Sequence, residues 1–245
     1  MITFGEVEEF VLFSKTHFAA LATILFLNVV IFFMRKHIRK TVLKDIIRYG
    51  LGITLIAQEI SLNLFRYWNG TWSFATSLPL HLCGFAVICC AIIALTKNEK
   101  LYSVVYFWGI GGATMALITP DLSTYGFPHF RFYQFFISHG LIVTTILYMT
   151  FIEQYRPTIK SFRKSFVTLN LLLIPIGLVN YLTGGNYFFI ARPPQTASLI
   201  DLLGPWPFYI LWFEVLGLVL FALCYIPFAI KDIRARRYSI NRLQF

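Results

Sequence analysis

Two histidines and a cysteine are the side chains of this chain best suited to chemistry. His81 and His139 lie one to two turns from the same end of two apolar stretches, and Cys83 follows His81 by two residues. An imidazole can take the proton of a thiol and leave a nucleophilic thiolate. This pattern therefore favours a nucleophile–base pair. The alternative is that each histidine only reaches the membrane interface and that Cys83 is a small packing residue.

Seven apolar stretches must position these side chains. Each is close to the 20 or so apolar residues that cross a bilayer core, and they lie at about 16–34, 46–67, 78–96, 101–119, 131–151, 166–184 and 206–230. Continuous apolar runs of this length predict helices, since a membrane barrel would show alternating strands. The sequence thus predicts an all-α, polytopic membrane protein in which a seven-helix bundle forms one transmembrane domain over residues 1–245.

The basic residues indicate how this bundle is oriented. Of the 21 Lys and Arg residues, all but Lys15, Arg66, Arg131 and Arg192 fall in every second gap between the stretches or in the C-terminal tail. Cytoplasmic loops carry the excess of basic residues in membrane proteins. The N-terminus is therefore predicted outside the cell and the C-terminus in the cytoplasm, with the protein in the plasma membrane.

Composition excludes several classes of protein. Charged residues make up 13% of the chain, against about 25% in soluble domains. The net charge of +10 flanks the apolar stretches, which favours contact with anionic lipid headgroups at the cytoplasmic face over nucleic acid. All four cysteines lie within predicted spans, so a disulfide framework is excluded. Acidic residues near the start argue against a signal peptide.

Further polar residues are predicted at the depth of the two histidines. Glu59, Asn63 and Arg66 share one face of the second helix, because their spacing is i, i+4 and i+7. Ionisable groups within a membrane normally face a cavity or one another. We therefore expect an outward-facing polar pocket that binds substrate through residues of several helices, namely Glu59, Asn63, Arg66, His17, Asp121, Arg192 and Glu214. The alternative is that these polar residues only hold neighbouring helices together, and Glu214 is a candidate partner of Arg66.

No metal or cofactor is expected. His17, His81, His139 and Asp121 are ligand types, yet no two of them have the i, i+4 spacing typical of zinc sites. The HxxxD and HxxxH patterns of ceramidase-type hydrolases do not occur. The last predicted helix has no lysine for a retinal Schiff base, which excludes a rhodopsin.

Four ordered motifs carry a resemblance to a known family. They are Leu78-Pro79-Leu80-His81-Leu82-Cys83, Thr119-Pro120-Asp121-Leu122, Phe127-Pro128-His129-Phe130 and Ser138-His139-Gly140. The chain resembles the YwaF-like bacterial integral membrane proteins and, more distantly, the transmembrane protein 164 family. Animal members of the latter are acyltransferases that make polyunsaturated ether phospholipids with a cysteine and a histidine. The resemblance implies His139 as that histidine; the cysteine corresponds either to Leu80, beside His81, or, with a shift of three residues, to Cys83.

These observations leave three hypotheses. The first is a phospholipid acyltransferase or acyl hydrolase, with His139 as general base and Cys83 as nucleophile or His81 as a second acid–base group. In it Arg66 and Arg192 hold a headgroup phosphate, and the loop 185–205 covers the pocket. The second is a binder or transporter of a small solute or lipid. The third is a scaffold whose polar residues only lock helix packing. Membrane lipids are the expected partners, and the sequence gives no oligomeric state.

Overall fold

The protein is helical throughout the residues that its computed structural model describes, which are 9–122, 124–193 and 204–242. The helices are α1 (Lys15–Ile38), α2 (Leu43–Trp68), α3 (Leu82–Thr96), α4 (Glu99–Phe107), α5 (Ala113–Ile118), α6 (Phe130–Phe151), α7 (Ile159–Thr183) and α8 (Phe208–Arg242). A π-helical turn, Trp108–Gly112, joins α4 to α5, and a 3₁₀ turn covers Tyr187–Phe189. No strand occurs in these ranges, so the all-α prediction is confirmed.

Five of the predicted spans coincide with helices that are long and apolar enough to cross a membrane. They are Lys15–Ile38, Glu99–Ile118, Phe130–Phe151, Ile159–Thr183 and Phe208–Arg234. The chain is thus a multi-pass helical membrane protein. Helix α3 is apolar but has only 15 residues, and α2 is long enough but carries charged residues at both ends. The count of seven spans and the orientation of the termini stay predictions.

The third predicted span begins later than its hydropathy indicates. The stretch 78–96 is apolar throughout, yet α3 starts at Leu82 and residues 78–81 approach it as an irregular segment. Pro79 removes a backbone donor there. The Leu78 N–H instead donates to the Tyr187 hydroxyl at 3.0 Å. A tertiary contact therefore decides where this helix begins.

The core lies between α2, α3, α6 and the continuous helix formed by α4, the π turn and α5. Leu55, Ile93, Phe107 and Ile146 are fully buried there, one from each of these elements. Gly109 in the π turn allows close approach, because a Cβ would lie 2.9 Å from Ile146 Cγ1. Helices α1, α7 and α8 present mostly exposed apolar side chains, as expected of helices that face lipid.

The bundle has two chemically different ends. At one, the C-terminus of α2 meets the N-termini of α3 and α6; we call it the histidine end, after His81 and His129, the N-cap residues of those two helices. At the other, Arg39, Lys44, Arg48 and Lys97 surround the C-termini of α3 and α6; we call it the basic end. Most of the candidate site residues lie at or near the histidine end.

Candidate functional site

One face of α2 carries polar side chains toward the histidine end. Asn63 Nδ2 donates to Glu59 Oε1 at 3.2 Å, and Trp72 Nε1 donates to Asn63 Oδ1 at 3.1 Å. An open groove of about 610 Å³ runs beside them, lined by Glu59, Ile60, Asn63, Leu64, Tyr67 and Trp72. Ile60, Leu64 and Tyr67 are exposed. The surface of the groove is therefore almost wholly apolar, although Glu59 and Asn63 are among its lining residues.

The start of α6 supplies a second set of polar groups. His129 caps this helix, because its Nδ1 accepts from the Arg131 N–H at 3.0 Å. Burial lowers the pKa of His129, with a smaller contribution from Arg131, and the neutral ring is the form that can cap. The Arg131 guanidinium donates to Gln134 Oε1, and Gln134 Nε2 donates to Gln58 Oε1 of α2 at 2.7 Å. Amide groups thus link Arg131 to α2.

His81 stands at the N-terminus of α3 without capping it through its side chain. Its ring lies 5.2 Å from those of Tyr187 and Phe189, measured between centroids. The Tyr187 hydroxyl donates to Phe74 O at 2.8 Å. The side-chain amide of Asn180 in α7 donates to Tyr187 O and accepts from the Tyr187 N–H. The aromatic side chains of the 3₁₀ turn after α7 therefore pack against His81.

Electrostatic interactions connect these groups into one cluster. Arg66 acts on Glu59 of its own helix and on His81 of α3. The charges of Arg66, Glu59 and Asp121 act on Arg131. Glu59, Arg66, His81 and Asp121 are thus linked by electrostatic interactions, and Asn63 is hydrogen-bonded to Glu59; the substrate-binding role expected of these residues stays a prediction. We call Glu59, Arg66, His81, Asp121 and Arg131 the polar cluster.

His139 lies two turns further along α6 and is buried. Its Nδ1 is 2.8 Å from Phe135 O, and its ring packs 4.1 Å from the Phe135 ring. A carbonyl only accepts, so Nδ1 carries the hydrogen and the neutral ring keeps the lone pair on Nε2. No hydrogen-bond partner of Nε2 occurs in the described ranges. This tautomer is the one that a general base needs.

Cys83 does not form a pair with His139 or His81 among the contacts of the described residues. Its side chain lies in the first turn of α3 and packs against the apolar core. Gly84 beside it is tightly enclosed, because a Cβ there would lie 2.8 Å from the carbonyl carbon of Pro79. The geometry therefore favours histidine chemistry without adding support for a thiol.

Three residues expected in the pocket lie elsewhere. His17 is fully buried: its Nδ1 accepts from Phe13 N–H at 3.0 Å and its Nε2 donates to Leu117 O at 2.9 Å, which ties α1 to the end of α5. Glu214 of α8 accepts from Asn170 Nδ2 of α7 at 3.1 Å. Glu214 is thus engaged by a neighbouring helix, and it forms no ion pair with Arg66 in the described part of the chain.

Arg192 is exposed and donates to Gly184 O at 3.3 Å, beyond the C-terminus of α7. Its backbone N–H binds Asn186 Oδ1 at 3.1 Å. Of the loop predicted to cover the pocket, Pro194 and Asp201 lie outside the described residues. In the described part of this loop, Arg192 therefore binds the C-cap residue of α7 and does not join the polar cluster.

Reasoning from the sequence missed three contributors to this region: Arg131, Tyr187 and Gln58. Arg131 was detectable as a basic residue on the side of the bundle that is otherwise poor in them. Tyr187 carried no such signal, since its role depends on a loop folding onto the segment before α3. In the ranges described, no three His, Cys, Asp or Glu side chains come together as metal ligands would.

Comparison with known proteins agrees with this description. The model of the TMEM164 family matches residues 12–225. An uncharacterized protein of Treponema pallidum (strain Nichols) is 24% identical over 220 residues, which cover 89% of this chain and 90% of that protein. No solved structure matches the chain. The predicted resemblance is thus confirmed at the level of a family.

Proposed function

Because the chain belongs to the TMEM164 family, we propose that it acts on membrane lipids as an acyltransferase or acyl hydrolase. In this proposal seven helices cross the plasma membrane, the histidine end faces outward, and His139 is the general base. The family match supports a lipid-related role. The reaction itself is inferred from the chemistry of the side chains described above.

The observation that carries the proposal is the fixed tautomer of His139. Its Nδ1–H is held by Phe135 O, so Nε2 can accept a proton in the direction set by the helix. General bases need their orientation fixed by a second group, as this carbonyl does here. An unoriented imidazole would present either nitrogen and would be a poorer base.

The chemistry then needs a nucleophile and an ester. Nε2 of His139 removes the proton from water or from the hydroxyl of an acceptor lipid, and that oxygen attacks the ester carbonyl. The tetrahedral intermediate collapses, and the same proton passes to the departing alkoxide. With Cys83 as nucleophile, its sulfur would attack first and hold the acyl group as a thioester. His81 offers a second acid–base group nearer the polar cluster.

The lateral groove on α2 supports access for a lipid. Its apolar side chains are exposed along the helix, and Glu59 and Asn63 are among its lining residues. An acyl chain can lie on an apolar surface that is open toward the bilayer, while the ester and headgroup stay near polar side chains.

The test is lipid mass spectrometry on the purified protein in liposomes. We expect wild-type protein to exchange or release acyl chains, and His139→Ala to reduce the rate by about 10²-fold or more, since a general base contributes 10²–10⁴-fold. Cys83→Ala separates the two nucleophiles: loss of turnover in both variants indicates the thioester route, and loss in His139→Ala alone indicates direct attack. Arg192→Gln changes an exposed residue beyond α7 and is the control, which should keep the wild-type rate.

Absence of turnover by the wild type, in liposomes with and without an added lysolipid acceptor, would contradict the enzymatic proposal. The same preparations would then be assayed for solute uptake and lipid binding. Unchanged folding of His139→Ala, checked by thermal unfolding, is required for either reading.

A further inference from the structure

We propose that Arg66 and Arg131 form a binding subsite for a phosphate group at the histidine end. The inference rests on the proposed lipid function only for the source of that phosphate. It replaces the pairing of Arg66 with Arg192 that the sequence predicted, because Arg192 is engaged beyond α7. Arg131 takes its place.

The first argument is the convergence of two cations from different helices. Arg66 lies near the end of α2 and Arg131 at the start of α6. The residues that precede them, Phe65 and Phe130, stack with their ring centroids 4.7 Å apart, so the two helices meet here, and the charge of Arg66 acts on Arg131. Two positive charges repel each other, and their partial removal from water adds to the free-energy cost of placing them together. Glu59 and Asp121 lie in range to balance the two positive charges. A phosphate between the guanidinium groups would add an acceptor for the N–H donors of both residues.

The second argument is the set of partners that the two guanidinium groups have. In the part of the chain that the structure describes, the Arg66 side chain forms no hydrogen bond and no ion pair within 4.0 Å. Arg131 donates to the neutral Gln134 amide. A guanidinium has five donors in a fixed fork, so most of the donors on both residues are left for a ligand.

The third argument is that Arg131 is oriented in advance. Gln134 receives its N–H, Gln58 of α2 in turn receives a hydrogen bond from Gln134, and Gln58 donates to Leu55 O at 3.1 Å. Gln58 and Gln134 are both buried. A buried chain of amides fixes the guanidinium without neutralising it, which is what a binding subsite requires.

The helix termini add to the attraction. Arg131 lies in the first turn of α6, and α3 begins beside His81, on which Arg66 acts. Both helices present the positive ends of their dipoles at this end of the bundle, where anions are favoured. The ligand class is therefore a phosphate that accepts bidentate hydrogen bonds, carried by a phospholipid or free in solution.

Thermal unfolding of the full-length protein in detergent measures this binding without any reaction. The probes are dihexanoyl phosphatidic acid, dihexanoylglycerol with the same chains but no phosphate, and inorganic phosphate. We expect phosphatidic acid to raise the Tm of wild-type protein more than dihexanoylglycerol does. Arg66→Gln and Arg131→Gln should weaken its apparent affinity about tenfold or more, since hydrogen bonds to charged groups are lost.

Arg192→Gln is the matched control and should bind as the wild type does. Arg131→Lys and Arg66→Lys keep the charge but lose the fork, so they should bind more weakly than wild type and fold even where the glutamine variants do not. An Arg131-dependent rise in Tm with inorganic phosphate alone supports the subsite and identifies a soluble ligand. A response confined to phosphatidic acid supports it and identifies a lipid.

Equal affinity in wild-type protein and the folded Arg66 and Arg131 variants would overturn the proposal, as would a Tm response no larger for phosphatidic acid or phosphate than for dihexanoylglycerol. His139→Ala should bind phosphatidic acid normally, because His139 is not one of the two ligands. The two proposals can therefore fail separately. A protein without acyl turnover can still show the Arg131-dependent rise in Tm, and a protein without that rise can still show turnover.

Discussion

Individual residues at the histidine end show that a polar side chain in a bundle can hold helices together or remain available for chemistry. His17 and His139 are both buried histidines, and their hydrogen bonds distinguish them. His17 uses both ring nitrogens on backbone groups, whereas His139 uses Nδ1 on a carbonyl of its own helix. The first arrangement is structural, and the second leaves a lone pair for a proton.

Gly84 provides a residue-scale prediction about the geometry near His81. We expect Gly84→Ala to lower the free energy of unfolding by about 1–3 kcal/mol, because the new Cβ would lie 2.8 Å from the Pro79 backbone and force the segment before α3 to move. The measurement is thermal or denaturant unfolding in detergent.

Gly50→Ala is its control, since a Cβ at this position of α2 meets nothing within 4 Å. Alanine favours helix over glycine by about 1 kcal/mol, so this variant should be neutral or more stable. Equal stability of the two variants would show that Pro79 does not enclose Gly84 as described.

At the scale of helices, α2 determines much of the architecture because both its ends carry charge. Toward the histidine end Glu59 and Arg66 belong to the polar cluster. At the basic end Arg48 is buried and donates to Leu95 O, near the C-terminus of α3, at 3.2 Å. A C-terminal carbonyl carries partial negative charge, so this contact joins α2 to α3 favourably. One helix thereby anchors both ends of the core.

Glu153, which follows α6, is the buried acid of the basic end. Only 7% of its side chain is exposed, and its carboxylate lies 3.0 Å from Lys44 Nζ, 3.5 Å from Lys97 Nζ and 3.9 Å from Arg48 Nε. Removing one partner of a buried ionic group leaves the other charges uncompensated. The loss therefore exceeds that of an exposed pair.

We predict that Glu153→Gln lowers the free energy of unfolding by about 1.5–3 kcal/mol, less than for a fully buried ion pair because Lys44 and Lys97 are partly exposed. Asp232→Asn is the matched control, since its ion pair with Arg156 is partly exposed on both sides and should contribute about 1 kcal/mol or less. Chemical unfolding of both variants in detergent measures the difference. Similar losses in the two would mean that the network at the basic end is not a structural anchor.

At the scale of the whole molecule, the helices alternate in direction between the two ends. The start of α1 contacts the end of α5 through His17 and Leu117, and its C-cap residue Arg39 donates to Phe151 O at the end of α6. Arg156, before α7, pairs with Asp232 in the second half of α8. Such alternation is expected when successive helices cross a membrane, and it is compatible with α2 and α3 doing so despite their charge and length.

Labelling of single cysteines with a membrane-impermeant maleimide tests this topology. In a background without the four native cysteines, Thr71→Cys between α2 and α3 should react in intact cells, and Lys40→Cys between α1 and α2 should react only after permeabilisation. Both positions are exposed. Reaction of both from the same side would mean that α2 does not cross, and reaction of Lys40→Cys alone would mean that the orientation is reversed.

The sequence by itself determined the helical membrane character and the family. Apolar length and the spacing of Glu59, Asn63 and Arg66 report burial and helix face directly, because the bilayer and the 3.6-residue period impose them. The four motifs around Pro79, Pro120, Pro128 and His139 indicated the family that the comparison then showed.

Only the tertiary structure decided which polar groups meet. Arg131 donates to Gln134, which donates to Gln58. The Phe135 carbonyl fixes the tautomer of His139. Glu214 accepts a hydrogen bond from Asn170 and does not pair with Arg66. Depth along a helix is encoded locally, whereas the direction in which a side chain faces a neighbouring helix depends on packing angles and loop contacts. Hydropathy and spacing carry no information about those, so the partners of each polar residue became visible only when the helices were assembled.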